Sequence, residues 1–237
     1  MKTYRKTAIV VGVLFIAATV LSLISSSLLG SIVGTPNYLM NVSANGNQMI
    51  IGALIELAAA ISVVLIPAAM FPVLKQHSEG MALGYFGFRI IEAITLIIDA
   101  ISSLLLLTLS QQYVNAGTPA VSSFQTSGAL LLAARNWAFP LNPIVFGPGA
   151  LMLYSVMYRA NLVPRWLSAW GLIGATMVFV LGLLGMFGNI VILLAIPIGM
   201  QEMVMALWLI VKGFNPSAFA DDAAKGFHAS AIPSEAA

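Results

Sequence analysis

Residues 48–72 read QMIIGALIELAAAISVVLIPAAMFP, with Glu56 as the single ionisable side chain. At an α-helical rise of ~1.5 Å per residue the stretch reaches about 37 Å, enough to cross the roughly 30 Å hydrocarbon core of a bilayer. Pro72 closes it, and the charged turn Lys75-Gln76-His77-Ser78-Glu79-Gly80 follows. Working outward, five similar runs appear, at about 7–30 upstream and at about 81–109, 125–157, 166–187 and 189–212 downstream. Polar connections separate them near 31–47 and 110–124, short turns lie at 159–165 and at Gly188-Asn189. The pattern predicts an all-α, polytopic membrane protein with six transmembrane helices.

Composition agrees. Of 237 residues, 60% are hydrophobic and 8% are charged, against about 45–50% and about 25% in soluble domains. So few charges would not cover a surface facing water, but lipid lifts that requirement. The expected organisation is a six-helix transmembrane domain over 1–214. A cytoplasmic tail over 215–237, rich in Ala, Ser and Pro with mixed charge, is expected to be disordered.

Lys2, Arg5 and Lys6 precede the first run as they would in a signal peptide, but the run outlasts the usual 7–15-residue apolar region and reads as a retained helix. Lys75, Arg159, Arg165, Lys212 and Lys225 fall at the same end, while the connections near 31–47, 110–124 and 187–190 carry no lysine or arginine. Basic residues favour the cytoplasmic side. The expected topology is therefore multi-pass in the cell membrane with both termini cytoplasmic. Trp166, Trp170 and Tyr158 at one interface and Tyr38 and Tyr113 at the other match headgroup-level anchors.

Several chemistries are excluded. A net charge of +2 spread along the chain gives no basis for a nucleic-acid partner. There is no cysteine, which removes disulfides, thiol nucleophiles and thiolate metal sites. The histidines are His77 and His228, both outside the apolar runs, so no bis-histidine haem, buried histidine-ligated zinc or Ser–His dyad is expected. Asp99 is the one aspartate in a span, and no phosphate-binding or dinucleotide glycine motif occurs. No cofactor is expected, and an intramembrane enzyme is the least supported class.

Six ionisable residues remain inside the apolar runs: Glu56, Arg89, Glu92, Asp99, Arg135 and Glu202. Each costs roughly 2.5–3.5 kcal/mol at a helix centre unless it is paired or watered, so they should face inward and find partners. Arg89, Glu92 and Asp99 share one stripe of the third helix. Counting from the helix ends places Glu56, Asp99 and Arg135 in the outer half, Arg89 in the inner half, and Glu92 and Glu202 near the middle. Arg135 is then expected to pair with Asp99 or Glu56, and Arg89 with Glu92 or Glu202. Four acids against two arginines leave two acids over, so a proton, cation or small molecule is the expected ligand beside the lipid bilayer itself. The competing reading is a structural network that fixes which helices pack together.

The fourth helix carries Arg135-Asn136-Trp137-Ala138-Phe139-Pro140-Leu141-Asn142-Pro143 and then Gly147-Pro148-Gly149. Each proline removes a backbone donor, so this helix is expected to be kinked or broken, with Arg135, Asn136 and Asn142 at the irregularity. Gly30–Gly34 and Gly80–Gly84 fit a small-xxx-small spacing for close helix approach.

At Gly87-Phe88-Arg89-Ile90-Ile91-Glu92, Pro164-Arg165-Trp166-Leu167-Ser168-Ala169-Trp170-Gly171 and Gln201-Glu202 through Trp208-Leu209-Ile210-Val211-Lys212-Gly213-Phe214, the chain resembles a bacterial integral-membrane family, domain of unknown function 4386. The resemblance extends to about Phe214 and implies a multi-helix bacterial membrane protein. It brings no activity, so Arg89, Glu92 and Glu202 inherit no role. The functional expectation is a small-molecule or ion carrier, or a membrane sensor, with a buried Arg/Glu polar centre. The alternative is a non-catalytic accessory protein whose buried charges specify helix packing.

Overall fold

All six apolar runs fold as helices long and apolar enough to cross a membrane, and the chain is a multi-pass membrane protein. The computed structural model describes residues 2–116 and 121–219, and no strand occurs among them. The helices are α1 (Lys2–Val33), α2 (Tyr38–Ala44), α3 (Gly46–Leu74), α4 (Glu79–Ala116), α5 (Val121–Arg159), α6 (Arg165–Met186) and α7 (Ile196–Val211). Short 3-10 turns cover Ile192–Ala195 and Pro216–Phe219. The spanning helices are α1 and α3 to α7. Each packs against its neighbour in sequence, and α7 returns to α1, closing a ring.

The closure is visible at the end where the basic residues gather. The last carbonyls of a helix have no partner within it. Arg5 donates to those of Leu209, Ile210 and Val211 at 3.2, 2.7 and 3.1 Å, placing a cation at the negative end of the α7 dipole. Gln76 donates to the Tyr4 hydroxyl at 3.0 Å. Asn215, at the start of the expected tail, donates through its side chain to the Asn161 carbonyl at 2.6 Å, and Phe219 stacks on Tyr4 at 4.1 Å. The rest of that tail, 220–237, lies outside the described residues.

At the opposite end the polar connections are shorter than the sequence suggests. Residues 110–116 and 121–124 continue α4 and α5, because glutamine and serine beyond the hydrocarbon core interrupt a helix no more than they do in water. The connection near 31–47 folds back as α2, which buries Leu39 and Val42. Asn41 on α2 donates to the Ile32 carbonyl at 2.7 Å and so caps α1.

The proline-rich helix, expected to be kinked or broken, is not broken: α5 runs without interruption from Val121 to Arg159 with Pro140, Pro143 and Pro148 inside it. Missing donors are tolerated in a spanning helix that is held by its neighbours, and α6 supplies that hold. A Cβ added to Gly182 would stand 2.9 Å from the Pro140 oxygen and 2.7 Å from Ile144 Cγ1. Close approach therefore occurs between α5 and α6. Of the two glycine pairs singled out in sequence, Gly30 and Gly80 face open space, and Gly84 alone meets another helix, at the Met152 sulfur.

Gly182→Leu should lower the melting temperature of detergent-purified protein, by about 1–3 kcal/mol of overpacking. Gly80→Ala should leave it unchanged. Equal melting for Gly182→Leu and wild type would show that α5 and α6 are not held at this spacing.

Candidate functional site

Within the ring the ionisable residues stand in two layers. The layer nearer the basic end centres on Arg89, which is 4% exposed. Its guanidinium donates to both oxygens of Glu92, three residues on, at 3.0 and 3.2 Å, and to the Tyr85 hydroxyl at 3.2 Å. It also stands 3.6 Å from Glu202 on α7. The rings of Phe146, Tyr85 and Phe15 surround its Cζ at 4.9, 5.4 and 5.8 Å. Cation–π attraction strengthens where water is excluded, and delocalised Arg is better suited than Lys to such a desolvated cage. Arg89 on α4 and Glu202 on α7 belong to helices that are not neighbours in the ring, so the contact crosses its interior.

A second bond crosses the interior at the same level. Tyr154 on α5 donates to Gln201 Oε1 at 2.7 Å, and the Gln201 amide donates to the Leu167 carbonyl on α6 at 3.1 Å. Gln201 is fully buried. A buried amide without partners would cost about 1–3 kcal/mol, which is why both of its polar atoms are engaged.

The layer nearer the opposite end is open in the middle. A cavity of about 580 Å³ is lined by Ser22, Ser26, Gly30, Glu56, Glu92, Thr95, Leu96, Asp99, Arg135, Asn136, Ala138, Phe139, Asn142 and Ile190. Glu92 forms its floor and links the two layers. Asn142 donates to the Thr95 hydroxyl at 3.0 Å, and that hydroxyl donates to the Glu92 carbonyl at 2.7 Å. Arg135 Nε stands 3.0 Å from Asp99 Oδ1. This is an ion pair by distance, although the N–H does not point along it. Glu56 is 5% exposed and has no cation within 4 Å among the described residues.

Of the two partners expected for Arg135, the structure uses Asp99; for Arg89 it uses both Glu92 and Glu202. Glu56, Glu92, Asp99, Arg135, Asn136 and Asn142 share the cavity wall, whereas Arg89 and Glu202 lie apart from it in the aromatic cage. Tyr85, Tyr154 and Gln201 escaped the sequence reading. Tyr85 had a signal, lying four residues before Arg89 on the same face. Tyr154 and Gln201 had none, since their pairing joins helices that are distant in sequence and not adjacent in the ring. Among the described residues no group of three or more His, Asp or Glu side chains is placed to hold a metal ion.

Arg89→Met should destabilise the protein by about 3–5 kcal/mol, because it strands two buried carboxyls, and adding Glu202→Gln should restore part of the loss. Thermal melts of the three proteins in detergent decide this. A wild-type melt for Arg89→Met would remove the cluster from any role in packing.

Compared with protein-family models, residues 10–213 match the one described as Domain of unknown function (DUF4386). No curated protein and no solved structure matches. The chain belongs to the DUF4386 family.

Proposed function

We propose that this chain is a small-solute carrier or membrane sensor of the bacterial inner membrane, and that the cavity between α1, α3, α4 and α5 is where the solute binds. The cavity itself carries the reading. Ligand sites commonly enclose about 300–1,000 Å³ with a few convergent polar groups on a largely apolar wall, and this one falls within that range. The side chains that make it costly are charged residues at membrane depth, which mark solute and ion pathways by default.

The prolines of α5 support the same assignment. A helical carbonyl at position i accepts from the N–H at i+4, and residues 140 and 143 have none. The carbonyls of Asn136 and Phe139 therefore lack their helical donors, and both residues line the cavity. Backbone left open in this way is tolerated at membrane depth where it faces protein or water.

Orientation follows from charge. The basic end, with Arg5, Lys75, Arg159, Arg165 and Lys212, faces the cytoplasm by the positive-inside preference. The cavity then extends toward the outside, as far as Ile190 in the connection between α6 and α7.

The accessory reading draws on a different observation, the Arg89 cluster, whose geometry is that of a packing element. The two readings divide on a solute screen. Purified protein melted against panels of cationic, neutral and anionic small solutes should be stabilised by at least one class. Ser26→Leu and Asn136→Leu, which fill the wall, should fold normally and lose that stabilisation. If no class stabilises wild type, the accessory reading takes its place.

A further inference from the structure

We infer that the cavity takes an organic monocation, with its ammonium group held against Glu56. The inference rests on the solute-site reading above and specifies the solute's chemistry.

Of the four acids inside the ring, Glu92 and Glu202 share Arg89, and Asp99 holds Arg135. Glu56 has no cation within 4 Å among the described residues, with Arg135 acting on it only at longer range, although it is 5% exposed and lines the cavity. The neighbouring Ser25 hydroxyl lies within hydrogen-bonding reach of the carboxylate, but it also bonds the Gly52 carbonyl at 2.9 Å, so its one proton is shared. A buried carboxylate is costly unless a charge or hydrogen-bond donors meet it, and a cationic solute supplies both.

The rest of the wall points the same way. The Asn136 and Phe139 carbonyls lose their helical donors to Pro140 and Pro143, and both residues line the cavity. Ser22, Ser26 and Thr95 add hydroxyl oxygens. Arg135, the one cation on the wall, is already engaged by Asp99 at 3.0 Å. The Glu56 carboxylate and these oxygens are acceptors that suit an ammonium, which only donates.

Size separates an organic cation from a metal ion. A bare ion is held by several oxygens at about 2.3–2.6 Å, whereas this space is about 580 Å³ and no cluster of three acidic or histidine ligands occurs among the described residues. Leu96, Ala138 and Phe139 offer apolar surface for a hydrocarbon body.

The test uses the full chain in detergent at constant ionic strength, with thermal melts in benzylamine, tetraethylammonium, benzyl alcohol and sodium benzoate. Benzylamine and tetraethylammonium should raise the wild-type melting temperature in a dose-dependent way, and the alcohol and the benzoate should not. Glu56→Gln should weaken the cation effect about tenfold or more, the loss of one charge-assisted contact. Gly30→Leu provides a second variant that keeps every charge: a Cβ there meets nothing within 4 Å, so the side chain fills wall space and should abolish the effect even if Glu56→Gln fails to fold. Equal stabilisation by benzyl alcohol or benzoate overturns the cation assignment and leaves a solute cavity standing. Retention of the amine effect in Glu56→Gln overturns the role of Glu56. Absence of any effect from all four probes in wild type overturns this inference, while the wider solute screen still decides the carrier reading.

Discussion

The fold depends on a single guanidinium that has no water to turn to. Arg89 is surrounded by two carboxylates, a phenol and three aromatic rings, and the groups that satisfy it come from α1, α4, α5 and α7. A ring of six helices has no intrinsic reason to close, because lipid is as good a neighbour for leucine as another helix is. A charge that must be partnered inside supplies such a reason. The contact between α4 and α7 and the Tyr154–Gln201 bond between α5 and α7 both span the interior, so the last helix is held from across the ring as well as by α1 and α6.

Because that cluster fills the half nearer the basic end, the empty volume lies in the other half. There the side chains are shorter or already engaged, and α5 has lost two backbone donors where the wall needs acceptors. The prolines therefore have a chemical consequence without breaking the helix. On its α6 side α5 packs proline against glycine, and the residues whose carbonyls lose their donors line the cavity. Structure and proposed function diverge by layer: a buried cluster that joins four helices, and a cavity whose wall carries Glu56 with no cation within 4 Å among the described residues.

Much of this was legible in the sequence, for identifiable reasons. Six spans follow from apolar runs because lipid imposes one length on all of them. The Arg89–Glu92 pair is a helical spacing rule, and counting depth along the helices narrowed Arg135 to Asp99 or Glu56 without choosing between them. What remained hidden depends on the ring. Nothing local marks Tyr154 and Gln201 as partners, and nothing in the proline pattern alone says whether α5 breaks, since that depends on how neighbouring helices pack against it. The glycine pairs misled for the same reason, because spacing along one helix does not specify which face meets a neighbour. Glu56 looked like the other acids, and the absence of a cation within 4 Å of it among the described residues emerged only once both arginines had been placed.

The division into a sealed layer and an open one is tested most directly by thiol accessibility, since the chain contains no cysteine of its own. Single variants Ser26→Cys, Asn136→Cys and Gln201→Cys would be treated in intact cells with a membrane-impermeant thiol reagent. The account predicts rapid labelling at positions 26 and 136 from outside and none at 201 until the protein is denatured. Labelling at 201 comparable to that at 26, or protection of all three, would contradict it.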